Sequence, residues 1–116
     1  MSNKKIVVLL SEDPMATHRP VEGLRIALGL STGPDPLTII LIGKARMLLT
    51  DEAFDVVDAE ILEKHLPVIQ ELEIPLIIPH GSSKEYAIDP EFSVQEASLE
   101  EIQSHMFDAH RVMVLG

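Results

Sequence analysis

The sequence contains no cysteine and no tryptophan, and it has only one tyrosine and three phenylalanines. Without a thiol the chain forms no disulfide and has no cysteine nucleophile, which excludes any chemistry that runs through a thiolate. The lack of cysteine also fits a reducing compartment. Because aromatic residues make up only 3% of the chain, its core must be built from Val, Ile, Leu, Ala and Met. Such a composition suits parallel strands covered by helices.

Basic residues are also scarce, since nine Lys and Arg stand against nineteen Asp and Glu, for a formal net charge of -10. An acidic surface repels a phosphate backbone, so we expect no nucleic acid as a direct partner. No apolar run approaches the roughly 20 residues of a membrane helix. The apolar run that follows Lys4 and Lys5 is also too short for a signal peptide. We therefore expect a single domain over residues 1–116, located in the cytoplasm and without a membrane partner.

Short apolar segments rich in β-branched residues predict five strands. They lie at residues 5–10, 37–42, 74–78, 92–96 and 111–115. Helical spacing of apolar residues predicts helices over 20–30, from about Asp58 to Leu72, and from Ser98 to the last strand, with Leu99, Ile102, His105 and Met106 pointing inward. Pro67 lies inside the second helix, so we expect a kink or two short helices there.

Two segments have the spacing of a capping box, Ser82 to Glu85 and Ser98 to Glu101. The first predicts a helix of one or two turns after the third strand, and the second predicts the start of the last helix. Strands that alternate with helices through right-handed connections predict a three-layer α/β/α sandwich. We expect its five-stranded sheet to be mainly parallel, in an order that the sequence leaves open.

Ligands of such sheets bind outside the carboxyl ends of the strands, near the point where the strand order reverses. The loops after the first and third strands are therefore the candidate ligand-binding regions. Their candidate residues are Glu12, Thr17, His18, Arg19, His80, Gly81 and Ser82. We assign no catalytic residue, no metal and no cofactor.

Each of these loops has a functional and a simpler interpretation. His80 and Ser82 could supply a base and a hydroxyl, and the backbone N–H groups of the next helix could hold an anion. A turn with a capping serine and an exposed histidine explains the same residues more simply. Glu12 and Asp13 with His18 and His80 could form a mixed oxygen and nitrogen metal site, but the spacing is not diagnostic. Arg19 fits either a clamp for an oxyanion or a solvated helix start.

Six segments covering nearly the whole chain resemble the DsrE/DsrF-like sulfur-relay proteins, including the TusD type. They are Lys5–Leu10, Gly23–Leu28, Leu37–Gly43, Glu73–Ser83, Glu96–Ile102 and Ala109–Val114. The resemblance implies a DsrE-like fold and assembly into a homo-oligomer, a trimer or hexamer, or into a hetero-oligomer with cysteine-bearing paralogues. Active members of that family carry a cysteine in the loop after the third strand, and this cysteine receives and passes on a persulfide sulfur.

Pro79 and Ser82 stand where that cysteine is expected, and neither can hold a persulfide. The resemblance therefore implies a non-catalytic subunit or binding module of an oligomer related to intracellular sulfur transfer. One alternative is a small-ligand or metal-binding protein that uses the loops after strands 1 and 3. Another is a hydrolase built on Ser82 and His80, although the loop has no nucleophile-elbow motif and we can place neither an orienting acid nor an oxyanion hole.

Overall fold

The computed structural model describes residues 4–51, 53 and 56–116, and its five strands form one sheet. The strands are β1 (Ile6–Leu10), β2 (Leu37–Leu41), β3 (Leu76–Pro79), β4 (Val94–Ala97) and β5 (Arg111–Val114). Their spatial order is β4-β3-β2-β1-β5, and every neighbouring pair is parallel. All five predicted strands are confirmed, with bounds shifted by one or two residues.

Helices cover both faces of this sheet. They are α1 (Arg19–Leu30), a 3-10 helix (Gly43–Leu49), α2 (Ala59–Glu71), α3 (Ser82–Glu85) and α4 (Leu99–Asp108). The α1 and α2 helices pack against each other over one face, whereas α4 packs over the opposite face against β3 and β4. The predicted three-layer α/β/α sandwich is therefore confirmed.

Two apolar cores lie on the two faces, because alternate residues of a strand point to opposite sides. The larger core joins sheet residues such as Val8 and Ile39 to Leu24 of α1 and to Leu62 and Ile69 of α2. The smaller core contains few buried residues: Val7, Ile40, Ile77, Ala97 and Ile102. This burial on both faces explains why the strands read as continuous apolar runs in the sequence.

Three local predictions are wrong in whole or in part. Of the kink and the two short helices expected at Pro67, the second alternative is wrong, since α2 runs unbroken from Ala59 to Glu71 with Pro67 inside it. Pro67 and Glu63, whose carbonyl loses its helical partner, are both exposed, so water can solvate that carbonyl. Leu99 is the first residue of α4 and is 71% exposed, so it does not point inward.

The third error concerns the cap of α3. Gly81 occupies the N-cap position with a φ of 87°, and Ser82 is already inside the helix. By contrast, the capping box of α4 is confirmed: the Glu101 N–H donates to Ser98 Oγ at 3.1 Å. The Ser98 N–H in turn donates to Glu101 Oε1 at 3.1 Å.

The strand order reverses between β1 and β5, and the chain itself fills the crevice there. The Ser11 N–H and hydroxyl both donate to the Gly116 carbonyl oxygen. A Cβ on Gly116 would lie 2.9 Å from the Arg19 backbone, and one on Gly23 would lie 2.6 Å from Leu10 Cδ2. These two glycines allow α1, β1 and residues 115–116 to approach closely, which leaves no space for a ligand between them.

Candidate functional site

The loop after β1 places its candidate residues at the surface. Arg19 Nη1 lies 3.4 Å from Glu12 Oε2, and both side chains are well exposed. Thr17 Oγ1 accepts the Arg19 backbone N–H at 3.3 Å. His18 occupies the N-cap position of α1, where it is exposed and its side chain makes no capping bond. The structure therefore brings Glu12, Thr17 and Arg19 together through solvent-exposed contacts.

The loop after β3 is organised around a buried serine. Ser82 has no solvent exposure. Its hydroxyl donates to the Pro79 carbonyl oxygen at 2.5 Å and accepts from Arg46 Nη1 at 3.0 Å. The hydroxyl is therefore engaged both as donor and as acceptor, and no base removes its proton.

Arg46, from the 3-10 helix after β2, holds this serine in place. The residue is only 8% exposed. Its Nε donates to the Gly43 carbonyl oxygen at 2.7 Å, and its Nη2 donates to Glu85 Oε2 at 3.0 Å. The guanidinium also lies over the Tyr86 ring, with Cζ 4.7 Å from the ring centroid. The planar fork of arginine can bind partners on several sides at once, and here all of them belong to the chain itself.

Sequence reasoning did not identify Arg46. The available signal was its position as the one charged residue in the otherwise apolar stretch 45–49. A charged side chain in such a stretch is rarely buried without partners. The partners themselves are distant in sequence, since Ser82 is 36 residues away.

Glu96 of β4 occupies the amino-terminal end of α3. Its Oε1 accepts the Gly81 N–H at 2.7 Å, and its Oε2 accepts the Ser83 hydroxyl at 2.7 Å. The hydrogen bond from Ser83 lowers the pKa of Glu96 most, and the Gly81 N–H, the nearby His80 and the Ser82 N–H lower it further. The chain's own carboxylate thus takes the place that an external anion could have occupied.

His80 is exposed, and it lies near the carboxylates of Glu96 and Glu101 rather than at the Ser82 hydroxyl. Its backbone N–H donates to the Ala97 carbonyl oxygen at 3.0 Å. The charge of His80 contributes to the lowered pKa of Glu101, after the larger effect of the hydrogen bonds from Ser98. Because the partners of the Ser82 hydroxyl are Arg46 and Pro79, the base that a serine hydrolase requires is not in contact with its nucleophile.

The two candidate loops are separated by β2 and the 3-10 helix that follows it. This helix contacts the first loop through Lys44, 3.7 Å from Asp13, and the third loop through Arg46. Among residues 4–51, 53 and 56–116, no hydrogen bond or ion pair joins the first group of candidates to the second. Nor do those residues contain a group of three or more His, Asp or Glu side chains that could hold a metal ion.

Comparisons with known proteins give a structural match but no sequence match. No family model matches the sequence, and no curated protein matches it. Among solved structures, the YchN protein from E. coli is similar with a TM-score of 0.76 and 16% sequence identity, over 96% of this chain and 98% of that chain. No helix in the described part of the chain is long and apolar enough to cross a membrane. YchN has a DsrE-like fold, and the backbone of this chain therefore has the DsrE-like fold.

Proposed function

We propose that this chain is a non-catalytic subunit or binding module of a cytoplasmic oligomer related to intracellular sulfur transfer. The observation that carries the proposal is the environment of Ser82. The sequence resemblance implies that the cysteine of active relatives corresponds to Pro79 or Ser82, and Ser82 is a fully buried hydroxyl bonded on two sides. This supports a loop that offers no group able to accept sulfur.

The chemistry of sulfur transfer explains why this environment cannot support it. A persulfide carrier needs a thiolate that a donor and an acceptor can both reach. Pro79 has no heteroatom in its side chain, and the oxygen of Ser82 can form no persulfide. Moreover, the Ser82 hydroxyl is inaccessible. We therefore assign no transfer step to this chain.

The same contacts suit a structural role in an assembly. Arg46 ties the segment after β2 to Ser82 and Glu85 of α3, and Glu96 ties α3 to β4. These contacts hold together three neighbouring parts of the sheet, at β2, β3 and β4. A surface that is already ordered in the free chain loses little conformational entropy when a partner binds.

Native mass spectrometry of the chain, alone and co-expressed with cysteine-bearing DsrE-like proteins of its own host, tests the proposal. We expect a homo-trimer or homo-hexamer, or a hetero-oligomer with such a paralogue. A chain that stays strictly monomeric and binds no paralogue contradicts the proposal.

A second measurement addresses the absence of transfer chemistry. After incubation with a cysteine desulfurase and cysteine, intact mass should show one added sulfur atom on the paralogue and none on this chain. The paralogue with its cysteine replaced by serine is the matched control. Sulfur bound covalently to this chain would refute a non-catalytic role.

A further inference from the structure

The two faces of the sheet are covered unequally. Five strands spaced about 4.8 Å apart make a face roughly 20 Å wide, and packed helices lie about 8–10 Å from each other, so two helices cover such a face. The α1 and α2 helices do so on one side. On the other side, the described chain places α4 alone, in contact with β3 and β4. The buried core on that side extends from Ala97 of β4 to Val7 of β1, whereas β5 at the edge of the sheet stays exposed.

The exposed edge of that face is apolar. The strand register pairs Val112 with Val7, and Val114 with Leu9. Since Val7 belongs to the core beneath α4, both β5 valines point to the same face as α4. Val112 is 38% exposed and Val114 is 61% exposed. β5 is also an edge strand, so one side of its backbone is free to pair with or pack against another chain.

The α4 helix carries a second exposed apolar surface on the same face of the sheet. Leu99, Gln103 and Phe107 are spaced four residues apart, which places them along one flank of the helix. Leu99 is 71% exposed and Phe107 is 90% exposed. A phenylalanine so fully in water, on the same face of the sheet as two exposed valines, is the mark of an interaction surface rather than of scattered surface residues.

We propose that a second copy of the chain closes this face, with its α4 helix lying antiparallel beside the first across a two-fold axis at Gln103. The spacing itself supports this arrangement. Leu99 lies four residues before Gln103 and Phe107 lies four residues after it, so an antiparallel pair places each Leu99 against Phe107 of the other copy. The second helix would also cover the exposed valines of β5.

The charges at the ends of α4 favour the antiparallel orientation. Glu100 and Glu101 lie in its first turn. Arg111 follows its last turn, and its backbone N–H donates to the carbonyl oxygen of Lys5, so two basic residues lie next to the single acidic Asp108 at this end. An antiparallel pair brings the acidic end of one helix to the basic end of the other, whereas a parallel pair brings like charges together. Antiparallel helix dipoles add to the preference.

This inference rests on the proposed function, because it names the surface through which the proposed oligomer forms. A two-fold contact has the same residues on both sides and closes on itself. It is compatible with a dimer or with a hexamer that contains two-fold axes, and it is incompatible with a trimer that has only a three-fold axis.

A cross-linking experiment uses the lack of cysteine in the natural sequence. In Gln103→Cys the single thiol lies at the proposed axis, within reach of its own copy, and mild oxidation should convert most of the protein to a disulfide-linked dimer. Ser104→Cys is the matched control, since residue 104 is also exposed but lies about 100° around the helix. Intact mass and non-reducing electrophoresis measure the dimer. Absence of dimer in Gln103→Cys, or equal dimer in both variants, overturns the inference.

A charge-exchange experiment tests the predicted pairing of Leu99 with Phe107 of the second copy. Leu99→Lys and Phe107→Glu should each weaken self-association by about tenfold or more, because each removes an apolar contact at two symmetric positions. The double variant should recover most of the lost association, since each lysine then faces a glutamate. Analytical ultracentrifugation measures the association, and circular dichroism verifies that the variants are folded.

Val68→Glu on α2 serves as the control, because Val68 is 37% exposed on the opposite face. Its association should equal that of the natural chain. If the natural chain assembles but none of these α4 variants changes the assembly, the inference fails and the proposed function stands. If the natural chain neither self-assembles nor binds a paralogue, the proposed function fails as well.

Discussion

The loops after β1 and β3 leave the same edge of the sheet, yet they are held in opposite ways. The first relies on exposed pairs: the Arg19 and Glu12 side chains are 59% and 39% exposed. The loop after β3 relies on buried groups, since Arg46 is 8% exposed and Ser82 is not exposed at all. Polar contacts that look alike as distances therefore carry different energetic weight, because water competes for the exposed pairs and not for the buried ones.

This difference concerns the loop where the sequence resemblance places the chemistry of active relatives. In this chain the polar groups of the loop after β3 make hydrogen bonds that hold the fold. The loop after β1 keeps its charged groups in solvent, so its residues can be changed at little cost to stability. The difference can be tested from the largest expected effect to the smallest.

Replacing Arg46 with alanine should have the largest effect. The substitution leaves the Gly43 carbonyl and the Ser82 hydroxyl, both buried or partly buried, without their donor. Losing such contacts should lower the free energy of unfolding by about 2–4 kcal/mol, measured by urea denaturation. The free energy of unfolding of Arg46→Lys should lie between those of the natural chain and Arg46→Ala, because an ammonium keeps the charge but lacks the planar fork. If Arg46→Ala costs no more than Arg19→Ala, the contrast between the loops is wrong.

Replacing Ser82 should have the next largest effect. Ser82→Ala removes one acceptor for Arg46 and one donor to Pro79, and it should cost about 1–2 kcal/mol of unfolding free energy. In Ser82→Cys, the only thiol of the chain should react very slowly with a thiol reagent in the folded protein and completely in urea. Ser83→Cys, at an exposed neighbouring position, should react at once under native conditions. Equal native rates for the two thiols would show that the loop is open.

Glu96 should make stability depend on pH in a defined direction. Hydrogen bonds from Ser83 and Gly81 hold the pKa of Glu96 below its ordinary value of 4.5, so the folded state favours the ionised carboxylate. Its contribution is complete above pH 4.5 and is lost as the pH falls through the lower folded-state pKa. Glu96→Gln should therefore be less stable than the natural chain at pH 7, and this difference should shrink in acid.

Thermal unfolding at a series of pH values measures this dependence. Ser83→Ala provides the graded comparison, because it removes the largest cause of the lowered pKa and keeps the carboxylate. The pH-dependent loss of stability should be smaller in Ser83→Ala than in the natural chain. A difference between natural chain and Glu96→Gln that grows in acid would contradict the lowered pKa.

Replacing Arg19 with alanine should have the smallest effect. Its ion pair with Glu12 is exposed, so the loss of unfolding free energy should stay below about 0.5 kcal/mol and diminish further at high salt. A double-mutant cycle with Glu12→Ala isolates the pair itself. A coupling as large as the loss in Arg46→Ala would show that the first loop is held as firmly as the third.

Much of the fold could be predicted because its signals are local. Apolar runs identified β1 and β2 to within one residue, and the capping box of Ser98 and Glu101 marked the start of α4. β3 begins later than expected because Pro75 has no N–H for the ladder, although its carbonyl still accepts from Ile39. The N-cap of α3 was wrongly predicted to be Ser82, because serine at that spacing fits either a cap or a first helical residue. Gly81, which readily adopts a positive φ, decided between them.

The sequence by itself determined that the chain is acidic, that it has no thiol, and that five apolar strands alternate with helices. These properties follow from composition and from periodicities that neighbouring residues carry. Only the tertiary structure decided the strand order, the contact between Arg46 and Ser82, and the capture of the α3 amino-terminal end by Glu96. Such contacts join residues far apart in the chain. Which of them form depends on how every layer packs at once, and no local pattern of residues encodes that choice.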